Sequence, residues 1–147
     1  MKKVIFLSLF VFLGTHAFSQ DIAENEDRTL HIEDTILNRP QTPTKPYPYI
    51  EEEVTIPNTK DNISLSGTLT LPDRDSIYPA VILIAGSGPT DRDETVFGHK
   101  PFLVLSDYLT RNGFAVLRYD KRGVGRSTGD YKKATTADFA SDAKAAI

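Results

Sequence analysis

Residues 80–85 read Ala-Val-Ile-Leu-Ile-Ala, apolar at every position, and residues 86–89 follow as Gly-Ser-Gly-Pro. A strand with one wet face alternates apolar and polar residues. A strand covered on both faces, as in the parallel sheets of α/β proteins, does not. Ala80–Ala85 is therefore expected to be a buried parallel strand. Beyond the loop that ends at Lys100, residues Phe102, Leu103, Leu105, Tyr108 and Leu109 fall at helical spacing. Pro101 suits the first turn of that helix, and Asn112 with Gly113 suits its carboxyl cap. Phe114–Tyr119 returns to strand character, so Ala80 to Tyr119 reads as a strand–helix–strand unit with a right-handed crossover.

The flanking chain completes the class. Upstream, Ile50, Val54 and Ile56 punctuate one run, and Ile63, Leu65, Leu69 and Leu71 alternate with Ser64, Ser66, Thr68 and Thr70 around Gly67. Two half-buried strands joined through the turn-prone Asn58–Asn62 make a hairpin. Downstream, Thr136–Ile147 reads as a helix capped by Thr136 or Asp138, with Ala140, Ala143 and Ala146 small enough for close packing. The expected fold is α/β, an antiparallel hairpin followed by a parallel βαβ unit.

The amino-terminal third is different. Residues 1–19 combine a charged start (Lys2, Lys3), an apolar run of about ten residues and the small residues Ala17 and Ser19, the pattern of a signal peptide cleaved after Ser19. That run falls short of the roughly twenty residues a membrane span needs, so no stable membrane anchor is expected. Residues 20–48 are polar and acidic, with Pro40, Pro43, Pro46 and Pro48 close together, and read as a tether. A short helix over residues 30–37 has too few apolar positions to stand alone. The remaining residues, 49–147, are expected to form the folded part. The chain of 147 residues has no cysteine, which excludes a disulfide scaffold, a thiolate metal site and a cysteine nucleophile. Without Lys2 and Lys3, 15 basic residues face 20 acidic ones, a charge of −5. No basic run remains for phosphates, which argues against nucleic acid as a partner.

Three motifs carry possible chemistry. Glycines at the carboxyl end of a parallel strand let N–H groups face an anion, so Gly86-Ser87-Gly88 reads either as an oxyanion hole built from the N–H of Ser87 or Gly88, or as a tight strand-to-helix turn. Gly123 and Gly125 begin a dinucleotide fingerprint, but Thr128 stands where its third glycine belongs. Gly125-Arg126-Ser127-Thr128-Gly129 has the form of a nucleophile elbow, yet charged loop residues precede it where a strand is required, and Ser127 reads as a loop hydroxyl. His99 is the one histidine in the folded part and sits in a loop beside Gly98, where a solvated role is expected. Asp91, Asp93 and Glu94 surround an arginine, and read as a solvated or salt-bridged loop rather than a metal site. No cofactor and no metal are implied.

Taken together, VILIAGSGPTDRDE (81–94) and GFAVLRYDKRGVGRSTG (113–129) resemble the amino-terminal half of an α/β-hydrolase, in the bacterial group of exported esterases and serine aminopeptidase-like hydrolases. PYPYIEEEVTIPN and SLSGTLTLP resemble that group's first two strands, so the resemblance runs from about Tyr47 to Ile147. It implies that Ser87 is an oxyanion donor through its N–H, with Gly88 and Gly86 shaping the turn. It also implies that Asp120, Arg122 and Gly123 build a loop near the site. The family's triad follows in the order Ser, acid, His, with the serine on an elbow after the fifth strand. All three are expected beyond Ile147, and these residues alone are expected to be insoluble or molten, and inactive. The implied activity is hydrolysis of small carboxylic esters through an acyl-enzyme. A peptidase or thioesterase on the same fold, or a non-catalytic exported binding module, stays open, as does the oligomeric state.

Overall fold

The computed structural model describes residues 39–147. The signal peptide expected at 1–19, the helix suggested at 30–37 and the part of the expected tether up to residue 38 lie outside the described residues. Strand β1 (Ile50–Asn58) pairs antiparallel with β2 (Ile63–Leu71), from Ile50 opposite Leu71 to Asn58 opposite Ile63. Asn62 closes the turn at φ 53°, a left-handed setting that asparagine tolerates better than most residues. Strand β3 (Ala80–Leu83) and β4 (Ala115–Tyr119) pair parallel, and helix α1 (Pro101–Arg111) connects them. β4 also pairs antiparallel with β2, which gives the sheet order β1-β2-β4-β3. The expected hairpin and βαβ unit are both present.

Alternation along β1, β2 and β4 sorts the side chains onto two unlike faces. Ile56, Leu65 and Tyr119 form an apolar cluster on one face, with Val54, Ile63, Ile82, Leu117, Ala145 and Ala146 packed around it. Leu65 is fully buried there, a contribution of about 2 kcal/mol. Helix α2 (Thr136–Ala145) lies against this side. Its cap is Thr135, one residue before Thr136 and three before Asp138, the two expected candidates. The Thr135 hydroxyl accepts from the Asp138 N–H while the Asp138 carboxylate accepts from the Thr135 N–H at 2.7 Å, a reciprocal capping box. Ala145 and Ala146 make the close packing, whereas Ala140 is exposed.

The opposite face was expected to be solvated, and it is not. Thr68 and Thr70 are buried, and the Thr70 hydroxyl bonds to Thr110 Oγ1 at 2.6 Å and Ser106 Oγ at 3.1 Å on α1. Hydroxyls on the strand meet hydroxyls on the helix, so the polar positions of β2 pack rather than face water. The β3 run also departs from expectation. The strand ends at Leu83, its only buried residue, and Ile84 is 55% exposed. Its pairing with β4 stops at Leu83 opposite Arg118, and its other edge has no strand partner among the described residues.

Residues 39–48, the end of the tether, lie along the folded unit. Arg39 donates to the Phe97 carbonyl at 2.8 Å and contacts the His99 ring, and Tyr47 stacks on Tyr49 with centroids 5.0 Å apart. No helix among the described residues is long and apolar enough to cross a membrane.

Candidate functional site

Because β3 and β4 are parallel, their carboxyl ends open onto the same edge of the sheet. The Gly86–Pro89 loop leaves from one and the Asp120–Ser127 loop from the other. Three ties bind the loops together. Lys121 Nζ donates to the Gly86 carbonyl at 2.6 Å and the Gly88 carbonyl at 3.1 Å. The Lys121 N–H donates to the Thr90 carbonyl at 3.4 Å. Arg92 makes the third, donating to Asp120 from its backbone N–H at 2.8 Å, from Nε at 3.1 Å and from Nη2 at 2.9 Å.

In the first loop the Gly86 N–H is committed to Glu94 Oε1 at 3.1 Å. The N–H groups of Ser87 and Gly88 have no acceptor among the described residues. Gly88 sits at φ 102°, a conformation open to glycine. The loop thus presents two uncommitted donors at the edge where ligands of open α/β sheets bind.

In the second loop Asp120 is buried at its centre. Burial by itself would raise its pKa, but Arg92, through side chain and backbone, and the Arg126 N–H hold the carboxyl below the ordinary aspartate range. Gly125 takes φ 55° against that carboxylate, and a Cβ there would stand 2.5 Å from Asp120 Oδ2. Gly123 is equally confined: at φ 71°, its Cβ would meet the Tyr131 nitrogen at 2.5 Å. Arg122 faces away from Gly86–Pro89 and anchors α2. Its Nε and Nη2 donate to the two oxygens of buried Asp142 at 2.7 and 2.8 Å, and Nη2 also reaches Asp61 at 2.6 Å in the β1–β2 turn. These carboxylates hold its guanidinium firmly protonated despite burial.

The remaining candidates separate cleanly. Ser127 is buried, its Oγ donates to the Asp120 carbonyl at 2.6 Å, and the same oxygen accepts the Ser66 N–H at 2.9 Å. That hydroxyl fixes the loop to β2 and has no histidine beside it. His99 is exposed, with Arg39 at its ring and a backbone bridge to Val96. Asp91 is consumed in a local turn, accepting from Asp93 N–H, Thr95 N–H and Thr95 Oγ1. Asp93 pairs with Arg118 and Lys100. An apolar groove of about 690 Å³ runs along α1 between Val96, Pro101, Val104, Leu105 and Tyr108, and shares no lining residue with either loop.

Sequence reasoning missed Lys121 and Arg92. Lys121 is 7% exposed, its ammonium lies 4.3 Å from the Phe139 ring centroid, and burial pushes its pKa down against a smaller opposing pull from Glu94. Arg92 also bonds Glu53 at 2.7 Å, Thr68 at 2.7 Å and Ser66 at 2.7 Å. Lys121 stands in a charged run that reads as a loop, its one signal being its place just after the apolar strand β4; the run around Arg92 reads as a solvated or salt-bridged loop, and its partner Asp120 lies 28 residues away.

A mixed sheet with this strand order, a βαβ crossover and a glycine loop at the edge of β3 is part of an α/β-hydrolase fold. It superposes on an α/β-hydrolase, GrgF from Penicillium sp. sh18, with a TM-score of 0.51 and 21% identity, over 66% of this chain and 30% of that one. In sequence the chain is similar to Esterase EstD of Thermotoga maritima, 45% identical over 58 residues. Those residues are 40% of this chain and 14% of that esterase, so the chain spans a small part of the relatives it matches. An α-amino acid ester hydrolase also aligns, with 28% identity and a TM-score of 0.39 over 64% of this chain and 17% of its own. No family model matches the chain.

Proposed function

We propose that these residues form the oxyanion side of a serine-dependent hydrolase of carboxylic esters, and that the nucleophile, acid and histidine come from chain outside the 147 residues. The observation that carries this reading is the Gly86–Pro89 loop, whose Ser87 and Gly88 N–H groups are uncommitted while its Gly86 and Gly88 carbonyls and the Gly86 N–H are tied down. The likeness to Esterase EstD supports the ester class. When a serine Oγ attacks an ester carbonyl, the carbonyl electrons move onto oxygen while the hydroxyl proton passes to the histidine. Donors fixed in advance bind that oxyanion at no cost of reorganisation. Collapse expels the alcohol, which takes the proton back from the histidine, and water then attacks the acyl-enzyme by the same path, releasing the acid and restoring the serine. Neither Ser127 nor His99 is placed to start this chemistry. Export, from the pattern of residues 1–19, is part of the same proposal.

The test uses the full-length polypeptide. It is expected to hydrolyse p-nitrophenyl butyrate and to bind a fluorophosphonate covalently on a serine outside residues 1–147. Ser87→Pro, which deletes one N–H, is expected to lower kcat by about 10²–10³-fold. An adduct on Ser87 or Ser127, or neither turnover nor adduct, overturns the proposal.

A further inference from the structure

We propose that Lys121 is a positioning residue for this hydrolase: its ammonium, set between the Phe139 ring and the Gly86 and Gly88 carbonyls, aims the Ser87 N–H toward the substrate oxyanion. The inference rests on the oxyanion reading above and gives it a cause. An ammonium has three donors, and here two go to carbonyl oxygens at 2.6 and 3.1 Å while the charge faces the ring at 4.3 Å. Two of the three donors are thus committed to the Gly86–Pro89 loop, and Lys121 acts through that loop.

Peptide geometry supplies the direction. The Gly86–Ser87 bond is trans, so the Gly86 carbonyl and the Ser87 N–H lie in one plane and point opposite ways. Holding the carbonyl against Lys121 therefore turns the Ser87 N–H away from Lys121. The second anchor sacrifices no donor, because the Gly88 carbonyl belongs to the bond with Pro89, which has no N–H. Between the anchors the Ser87–Gly88 peptide keeps its own N–H uncommitted. Glu94, on the Gly86 N–H, closes the arrangement from the other side.

Phe139 lies on α2, and Tyr131, whose ring is 5.6 Å from Lys121 Nζ, lies on the turn before it. The seating of α2 is thereby linked to the aim of the loop. A merely structural lysine would leave the order of the loop unchanged, and any loss of turnover on replacing it would follow the loss of stability.

Two readouts on the full-length protein separate this inference from the ester reading. Lys121→Met, close in length and uncharged, is expected to lower the backbone order parameters of Ser87 and Gly88 from about 0.85 to below about 0.6. With p-nitrophenyl butyrate it is expected to lower kcat about 10–100-fold with KM nearly unchanged, somewhat less than deleting a donor outright. Lys121→Gln, whose amide can still donate to one carbonyl, is expected to recover part of both. Phe139→Leu, which keeps the lysine, is expected to shift both in the same direction by less. Should the wild-type protein fail to turn over esters, the ester reading falls, and the order parameters still decide the role of Lys121. Unchanged order parameters in Lys121→Met, or a kcat loss that merely tracks a lowered Tm across the three variants, overturn it.

Discussion

Asp120 joins more of the site than any other carboxylate, taking Arg92 through three donors and the Arg126 N–H while its own carbonyl receives Ser127. Its lowered pKa makes folding depend on pH with a definite sign. The folded state holds the carboxylate ionised more tightly than the unfolded chain does. The stabilisation is complete above the ordinary aspartate value of about 3.9 and is lost as pH falls from there through the lowered folded value. Urea midpoints of the wild type are expected to drop across that acid window, and those of Asp120→Asn to be lower at pH 7 and flatter in acid. Parallel profiles for the two proteins count against it. At this scale the sequence was legible where a residue's role follows from its chain neighbours. Ser127 reads correctly as a loop hydroxyl because a charged loop precedes it. Lys121 was opaque, because what defines it is a pair of carbonyls some thirty-five residues away.

The helix Pro101–Arg111 and the hairpin were legible because apolar spacing, proline and turn residues all agreed. The start of α2 at Thr136 was legible and its cap was missed by one residue, since Thr135 and Thr136 are equally good caps by type and only the reciprocal bond with Asp138 decides between them. The β3 run misled in a more useful way. Its apolar content predicts cover on both sides, yet its outer edge is unpaired among the described residues and Ile84 is more than half exposed. Such an edge templates association. A polypeptide limited to residues 20–147 is expected to sediment as concentration-dependent oligomers, and Ile84→Lys to shift it toward monomer. A cooperatively unfolding monomer without that substitution contradicts the expectation.

For the whole molecule, the part of the α/β-hydrolase fold described here matches 30% of GrgF. The proposed export concerns which residues the mature protein retains. Intact mass and amino-terminal sequencing of protein from the producing cells are expected to place the mature start at Gln20. Retention of Met1–Ser19 in the mature protein excludes it. The fold class was legible because the strand and helix periods are local, whereas the joining of two loops by Lys121 and Arg92 appears only when both strand ends reach one edge. The hydroxyl contacts between Thr70 on β2 and Ser106 and Thr110 on α1 add a mechanical consequence. Oily surfaces slide and rotate at small cost, but directional bonds between short side chains lock a helix axially and about its own axis. With α1 keyed in this way, slack in the chain between β3 and α1 cannot be relieved by movement of the helix, and the segment Gly86–Lys100 is clamped at its far end as firmly as at its near one.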